Sequence, residues 1–290
     1  MTLSITLVSP DPQAVERAVS RIGELVGATG SDSLGLGAVD LQGQGDAVML
    51  RPLLQDALED LPVDLCVQPA AGRRKRLLIA DMDSTIIGCE CLDELADFAG
   101  VKAQVAEITE RAMRGELEFE GALRERVAML RGLGLEALEA CYEARVRLNP
   151  GARTLVRTMA AGGARCLLVS GGFSFFTARV AAAAGFHEDR ANTLIDDGRA
   201  LTGLVGEPIL GREAKLASLK GEAARLGLGA DETLAVGDGA NDLAMIEAAG
   251  LGVAYRAKPV VAARAHARID HSDLTALLYF QGYRAGEFID

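Results

Sequence analysis

Short apolar runs, each followed by polar or glycine-rich residues, recur along the chain from residue 77 onward. Four of these runs predict strands, at residues 77–80, 166–169, 233–236 and 251–254. Because they carry almost no polar interruption, they are typical of strands buried on both faces of a parallel sheet. Helical spacing of apolar residues fills the intervals at 152–161, 174–184, 212–226 and 241–249. This alternation predicts an α/β fold whose core is a doubly wound, Rossmann-like parallel sheet.

The first 72 residues follow a different pattern. They predict strand, helix, one or two strands, helix and strand, over 3–8, 12–26, 27–46, 47–60 and 63–67. That order is typical of a small α+β ferredoxin-like domain. By topology alone, the domain resembles the amino-acid-sensing regulatory domains called ACT. A structural module, or one that joins two chains in a homodimer, is an equally good interpretation.

Residues 92–147 contain no strand pattern. Their apolar spacing predicts four helices, over 92–99, 101–113, 119–130 and 135–147. We interpret this helical block, inserted after the first core strand, as a lid that covers the end of that strand. We therefore predict an N-terminal domain over 1–72, a core over 73–88 and 149–290, and a helical cap over 89–148.

Composition and charge exclude several classes of function. The formal net charge of −11 over 290 residues argues against a nucleic-acid partner, and the basic run at 73–76 is interpreted as a solvated linker. Five irregularly spaced cysteines are interpreted as thiols of a reducing compartment rather than a disulfide framework. No apolar stretch approaches the ~20 residues that span a bilayer, and we see no secretion signal. We therefore expect a cytoplasmic protein without a membrane partner.

Candidate chemistry begins where the strand at 77–80 ends. Asp81 and Asp83 follow that strand directly, two residues apart. In open α/β sheets, ligands bind at the carboxyl ends of the strands, which makes these carboxylates candidate reactive groups. A helix cap or a turn is the alternative, because Asp, Ser and Thr favour both.

A second candidate follows the strand at 166–169. Ser170, Gly171 and Gly172 combine a hydroxyl with unhindered backbone N–H groups at the predicted start of a helix. Such groups make an anion site suited to phosphate. A glycine-rich helix start without any ligand is the alternative.

The strand at 233–236 runs into a turn rich in hard oxygen ligands. Asp238, Asn241 and Asp242 lie there between two glycines, and carboxylate and amide oxygens are ligands that Mg²⁺ prefers. A capped turn is the alternative, although it explains only one of the carboxylates. Lys215 lies between these turns on a predicted helix, where a lone lysine is usually exposed to solvent.

Taken in order, the D-x-D turn, the Ser-Gly turn, the lysine and the G-D-G-x-N-D turn resemble the signature of the haloacid dehalogenase superfamily. Within it, DMDSTIIGCECLDELA, FEGALRERV, SGGFSFF and VGDGANDLAM resemble phosphoserine phosphatases. The resemblance covers about residues 77–256. It implies Mg²⁺-dependent hydrolysis of O-phospho-L-serine through an aspartyl-phosphate, the last step of serine biosynthesis.

The resemblance also implies a role for individual residues. Asp81 would be the nucleophile, Asp83 the general acid and base, and Lys215 a catalytic cation. The predicted metal ligands are Asp81, Asp83 through its backbone carbonyl, Asp238, and Asp242 through water. The predicted substrate-binding residues are Glu90, Met113, Phe119, Arg126, Ser170, Gly171, Lys215 and Asn241.

Two of these assignments have plain structural alternatives. Glu90 could be an acid at a helix start, and Arg126 could pair with Glu118 or Glu120 on its own helix. At the level of function, a phosphatase or phosphotransferase for another small metabolite is one alternative. A phospho-accepting receiver module is another, although it has no use for Asp83 as a second carboxylate or for a helical insert.

Overall fold

The first part of the chain forms an antiparallel sheet with helices packed on one face. The computed structural model describes residues 2–28, 30–113 and 116–290, without the side chain of Met113. Its first elements are β1 (Thr2–Val8), α1 (Pro12–Ile22), β2 (Ser31–Gly35), β3 (Ala38–Gln44), α2 (Ala47–Ala57) and β4 (Asp64–Pro69). The four strands lie in the order β2-β3-β1-β4. This is the predicted α+β arrangement, and Leu3, Ile5 and Leu7 alternate along β1 to pack in the core beneath the helices.

The remaining elements alternate between strands and helices after a helical insert. They are β5 (Leu77–Ala80), α3 (Cys91–Phe98), α4 (Lys102–Met113), α5 (Phe119–Ala128), α6 (Leu135–Arg145), α7 (Ala152–Ala161), β6 (Arg165–Phe173), α8 (Ser174–Ala184), β7 (Glu188–Asn192), β8 (Leu194–Asp196), β9 (Leu201–Val205), α9 (Arg212–Leu226), β10 (Thr233–Gly237), α10 (Leu243–Ala248), β11 (Leu251–Tyr255), α11 (Pro259–Ala262), β12 (Ala267–Ile269) and α12 (Ala276–Phe280). One π-helical turn, Met82–Ile86, follows β5. None of the helices described is long and apolar enough to cross a membrane.

The core strands place three polar turns at one edge of the sheet. Their order is β12-β11-β10-β5-β6-β7, and all neighbouring pairs among them are parallel. The winding direction therefore reverses between β5 and β10, and such a switch point opens a crevice at the carboxyl ends. The polar turns after β5 and β10 and the Ser-Gly segment near the carboxyl end of β6 meet at that crevice.

Burial on both faces explains the uninterrupted apolar runs. Leu78 and Ala80 belong to one apolar cluster, and Leu77 and Ile79 belong to a second cluster on the other face. All four are fully buried. Successive side chains of a strand point to opposite faces, so a strand covered by helices on both sides needs no polar position.

Two core strands escaped the sequence analysis. β7 has the sequence EDRAN and lies at the edge of the sheet, where most of its residues are only half-buried. β12 is three residues long. The strand predicted at 166–169 also continues to Phe173, so α8 begins only at Ser174. The glycines at 171 and 172 thus lie on extended chain rather than at a helix start, which corrects the expectation.

The basic run connects β4 to β5, and only half of it is solvated as expected: Arg74 and Arg76 are 53% and 63% exposed, whereas Arg73 and Lys75 are not. Arg73 Nη2 donates to Asp40 Oδ1 at 3.0 Å, and Lys75 is 7% exposed with its Nζ on the carbonyl oxygen of Asp231 at 2.8 Å. Strand β4 also pairs with β12, through Cys66 and Ala267. The solvated-linker interpretation is therefore wrong for Arg73 and Lys75, because these two side chains contact partners that lie far away in the sequence.

Candidate active site

A buried lysine holds two carboxylates at the centre of the crevice. Lys215 Nζ lies 2.7 Å from Asp81 Oδ1 and 2.6 Å from Asp242 Oδ1, and all three side chains are at most 7% exposed. The alternative of a solvent-exposed lysine is therefore wrong. Burial lowers the pKa of Lys215, but the two carboxylates outweigh it and raise the pKa overall. The lysine stays charged and offsets part of the negative charge of the turns.

Asp81 has one oxygen held and one oxygen open. Its Oδ1 accepts from the backbone N–H of Met82 at 2.8 Å and faces Lys215. The described residues make no hydrogen bond to Oδ2. Burial and the charge of Asp242 raise the pKa of Asp81, while Lys215 opposes that shift. A carboxylate fixed through one oxygen is oriented for chemistry at the other.

The π-helical turn after β5 brings Asp83 back toward the same crevice. Ser84 has a φ of 55°, a strained value for a residue with a side chain, and it reverses the chain there. Asp83 Oδ1 accepts from the Cys91 N–H at 3.3 Å. Burial, and then the charge of Glu90, raise the pKa of Asp83 to about 7. A carboxyl group with that pKa can give and take a proton near neutral pH.

The Ser-Gly segment lies opposite Asp83. Ser170 is buried, and its Oγ accepts from the Gly172 N–H at 2.9 Å. A Cβ at Gly172 would lie 3.0 Å from Asp83 Oδ2 and 3.1 Å from Ser170 Oγ, so a side chain at this position would crowd both oxygens. Asn192, which sequence reasoning missed, holds the segment by donating to the Gly171 carbonyl oxygen at 2.8 Å. Its position on the polar strand β7 gave no signal.

Three carboxylates at the switch point could hold a metal ion. Ligand oxygens of Asp81, Asp238 and Asp242 all lie within 4.8 Å of one another. Burial, and then the charges of Asp242 and Glu90, raise the pKa of Asp238 to about 6. Hard oxygen donors in this number fit a divalent cation such as Mg²⁺.

Asp242 and Asn241 have more specific places in the third turn. Asp242 is fully buried, and its Oδ2 accepts from the Gly239 N–H at 3.0 Å. It stands at the N-cap of α10 without capping that helix, so the alternative of a plain cap fails. A Cβ at Gly237 would overlap the Asp242 carboxyl group. Asn241 lines the crevice, while Thr85 Oγ1 lies 3.4 Å from Asp238 Oδ1.

The cap supplies the other wall. Glu90 is exposed at the N-cap of α3, does not cap it, and its Oε1 accepts from Ser84 Oγ at 2.6 Å. Arg126 donates through Nε to the Ala122 carbonyl oxygen at 3.2 Å and forms no ion pair with a carboxylate in the described part of the chain. Glu120 pairs with Arg124 instead, so the expected alternative for Arg126 is not formed.

Core and cap together enclose a cavity of about 510 Å³, a common size for a small-molecule site. Phe119 stands over its floor, 3.4 Å from where a Cβ on Gly171 would be. The predicted residue Met113 has a side chain outside the described part of the structure. The cavity wall contains these predicted residues: Asp81, Asp83, Glu90, Phe119, Arg126, Ser170, Gly171, Asp238 and Asn241. It also contains Asp93, Thr109 and Lys258, which the sequence analysis did not select.

Sequence comparison connects this constellation to known enzymes. The profile of the haloacid dehalogenase-like hydrolases matches residues 78–247. The phosphoserine phosphatase of Archaeoglobus fulgidus is 44% identical over 242 residues, which cover 82% of this chain and 70% of the relative. The profile match includes Asp81, Ser170 and Asp242 and extends through the helical insert.

Solved structures give the same result. A probable phosphoserine phosphatase from Vibrio cholerae, in its unliganded form, superposes with a TM-score of 0.80 and 32% identity over 97% of this chain and 86% of that one. A phospho-aspartyl intermediate analogue of phosphoserine phosphatase superposes with a TM-score of 0.65 and 37% identity, over 71% of this chain and 99% of that one.

Proposed function

The chain belongs to the haloacid dehalogenase-like hydrolases, among their phosphoserine phosphatases, and we propose that it hydrolyses O-phospho-L-serine to L-serine and phosphate through an aspartyl-phosphate. One observation carries this proposal. A single cavity contains a fixed carboxylate, a second carboxyl group with a pKa of about 7, a guanidinium that forms no ion pair with the described residues, and an exposed acid. The two carboxyl groups of the core suit phosphoryl transfer. The guanidinium and the exposed acid of the cap suit the carboxylate and the ammonium group of an amino acid.

Asp81 is the proposed nucleophile. Its open Oδ2 attacks phosphorus and displaces the serine oxygen, which forms the aspartyl-phosphate and splits a slow hydrolysis into two easier steps. Lys215 and the Met82 N–H hold Oδ1 and so fix the direction of attack. The solved analogue of a phospho-aspartyl intermediate in a relative supports this assignment.

Asp83 is the proposed general acid and base. In the first step it donates its proton to the departing serine oxygen, and in the second it takes a proton from the attacking water. Its pKa of about 7 lets the carboxyl group perform both transfers at neutral pH. The Cys91 N–H holds one oxygen of the group and leaves the other for the proton.

Mg²⁺ is the proposed cofactor. Asp81, the backbone carbonyl of Asp83 and Asp238 would hold it, with Asp242 acting through water and Asn241 in support. When bound, it supplies positive charge that offsets the repulsion between a carboxylate and a phosphate. Asp242 already uses both oxygens on Lys215 and Gly239, which favours an indirect role for it.

Ser170, Gly171 and Lys215 are the proposed ligands of the phosphoryl oxygens. The Ser170 hydroxyl accepts from Gly172 N–H through its oxygen, so its proton is free to donate to a phosphoryl oxygen. Lys215 adds a buried positive charge beside Asp81. Donors fixed in advance stabilise charge that develops in the transition state.

Substrate choice is assigned to the cap. We propose that Arg126 binds the carboxylate of phosphoserine in a fork, because its guanidinium has no described carboxylate partner, and that Glu90 binds the ammonium group. Phe119 and Met113 would close over the substrate and exclude water. Burial lowers the pKa of Arg126, and the negative charges of Asp93 and Glu90 oppose that shift only in part.

Initial rates across a panel of phosphomonoesters test the proposal. With Mg²⁺ present, O-phospho-L-serine should exceed phosphothreonine and sugar phosphates in kcat/KM, with continuous phosphate release. If kcat/KM were about two orders of magnitude higher for a sugar phosphate, phosphoserine would be wrong as the substrate, although the protein would still be a phosphatase. A single burst without turnover would instead indicate a receiver, and phosphate passed to an added alcohol would indicate a phosphotransferase.

In the cell, we propose that this activity completes serine biosynthesis in the cytoplasm. The ACT-like function of residues 1–72, the domain boundaries at 72, 88 and 148, and a homodimer stay predictions. If removal of residues 1–72 left a folded enzyme whose inhibition by L-serine was unchanged, sensing by that segment would be excluded.

A further inference from the structure

A second cavity lies between the two parts of the sheet, away from the active site. It measures about 510 Å³, and its wall includes Val48, Arg51, Val67, Pro69, Leu251 and His266. Leu251 begins β11, whereas the active site lies at the carboxyl ends of the core strands. Because five strand residues span about 13 Å between first and last, this cavity is distinct from the catalytic one.

Arg51, on α2, places an unsatisfied cation in the wall. Its Nε is buried without a hydrogen-bond partner, and Nη2 has only a 3.5 Å contact to the Val67 carbonyl oxygen. No carboxylate in the described ranges forms an ion pair with it. Burial lowers the pKa of Arg51, the direction expected for a guanidinium without a counter-charge. A buried polar group without a partner is rare and calls for an explanation, such as a ligand.

His266 adds a hydrogen-bond donor to the same wall. Its Nδ1 accepts from the Gly252 N–H at 2.9 Å, so the proton of the neutral ring lies on Nε2. Burial, then the positive charges of Arg51 and Lys75, lower the pKa of His266 and favour that neutral form. The acid in the wall, Asp46, is already engaged as the N-cap of α2, where it accepts from the Val48 N–H at 2.8 Å.

We propose that this cavity binds a small organic carboxylate, held by the Arg51 fork and the His266 N–H. A guanidinium binds a carboxylate through two parallel hydrogen bonds. One cation beside a neutral imidazole matches a singly charged carboxylate better than a phosphate dianion. Val48, Val67, Pro69 and Leu251 supply apolar surface for the body of the ligand. Since the wall comes from both parts of the sheet, the ligand also joins them.

Benzoate is the probe, and benzylamine is its ring-matched cationic control. Binding to the full chain is followed by backbone amide NMR shifts around Leu251 and by thermal unfolding. We expect benzoate to shift the amide resonances around Leu251 in a saturable way and to raise the Tm. Benzylamine should do neither. Arg51→Met should weaken benzoate binding at least tenfold. Arg51→Lys keeps the charge but loses the two-pronged guanidinium, so its affinity for benzoate should lie between those of the wild type and Arg51→Met.

Two further variants separate this site from the active site and from a structural role. Arg126→Ala should keep the benzoate response, because its guanidinium lies in the other cavity. Without probe, Arg51→Met should unfold at the same temperature as the wild type or higher, since it removes a half-buried charge that has no ion pair among the described residues. The proposal is overturned if benzoate does not bind the wild type, if Arg51→Met binds it equally, or if Arg126→Ala abolishes the response.

Discussion

The core wall and the cap wall of the active-site cavity differ in how their side chains are held. On the core wall, Asp81 lines the cavity and is held from behind by Lys215, which lies 2.7 Å from Asp81 and 2.6 Å from Asp242, and the three are almost completely buried. On the cap wall, Phe119 is 38% exposed, Glu90 is exposed and bonded only to Ser84 among the described residues, and Arg126 has no described carboxylate partner.

This difference indicates a division of labour. Groups fixed in advance stabilise a transition state without reorganising, which suits the chemical step. Groups that still lack partners gain them only when a substrate with matching charges binds. Damage to the core wall should therefore reduce kcat for every phosphomonoester, and damage to the cap wall should change which phosphomonoester is preferred.

The largest effect is expected from Asp81→Asn. It removes the nucleophile but keeps shape and hydrogen bonding, so kcat should fall at least about 10⁴-fold, ~5 kcal/mol, with a folded protein. Steady-state phosphate release and circular dichroism are the measurements. Residual activity above a few per cent of the wild type, on any substrate, would contradict the assignment and remove the basis of the comparison.

Lys215→Met should give the next largest loss. It leaves two buried carboxylates without their cation, and we expect a transition-state cost of about 3 kcal/mol, roughly 100-fold in kcat, on phosphoserine and p-nitrophenyl phosphate alike. Lys220→Met, on the same helix, is the control and should keep wild-type rates. A loss confined to phosphoserine would mean that Lys215 selects substrate and that the two walls are not separate in function.

Sequence reasoning predicted the core wall well because the parallel sheet itself brings its residues together. Asp81 and Asp238 directly follow buried strands, Ser170 lies near the carboxyl end of another, and carboxyl ends of parallel strands share one edge. Lys215 could not be found by this rule. It lies inside a helix, and only its burial against two carboxylates separates it from a surface lysine.

Contacts between residues distant in sequence set the limit of the prediction. Asn192 holds the Ser-Gly segment from a strand whose polar sequence gave no pattern. Arg73 meets Asp40 across 33 residues, which a local charge pattern cannot indicate. Arg51 and His266 come from different parts of the sheet, so their shared cavity is a property of packing alone.

Metal removal tests whether the core wall is held by charge balance. In metal-free protein, Asp83 and Asp238 have pKa values of about 7 and about 6, above the unfolded value of about 3.9. The folded state then keeps protons that the unfolded state has released. Stability should therefore fall by about 4 kcal/mol as the pH rises from about 5 to 8.

Added Mg²⁺ should recover that loss, so its stabilising effect on Tm should be larger at pH 8 than at pH 5. Thermal unfolding with Mg²⁺ or with EDTA at both pH values measures the difference. Asp81→Asn should reduce it, because that variant removes one of the proposed ligands. An equal Mg²⁺ effect at both pH values would show that these carboxylates do not hold the ion.

Arg126→Ala tests the cap wall. Loss of a charge-assisted pair with the substrate carboxylate should raise KM for phosphoserine about 30-fold, ~2 kcal/mol, with kcat nearly unchanged. The KM for p-nitrophenyl phosphate, which has no carboxylate, should change less than about threefold. Arg124→Ala is the matched control, because that arginine pairs with Glu120 and Glu207 outside the cavity. Equal losses on both substrates would make Arg126 structural.

Phe119→Ala should have the smallest effect. The ring is 38% exposed and covers the floor of the cavity beside Gly171 and Gly211, so its removal lets water approach the substrate. We expect kcat/KM for phosphoserine to fall about fivefold, ~1 kcal/mol. Phe98→Ala is the control, since Phe98 is 37% exposed on α3 but does not line the cavity. If both variants lose activity equally, the effect comes from cap stability, and the cap wall acts only through charge.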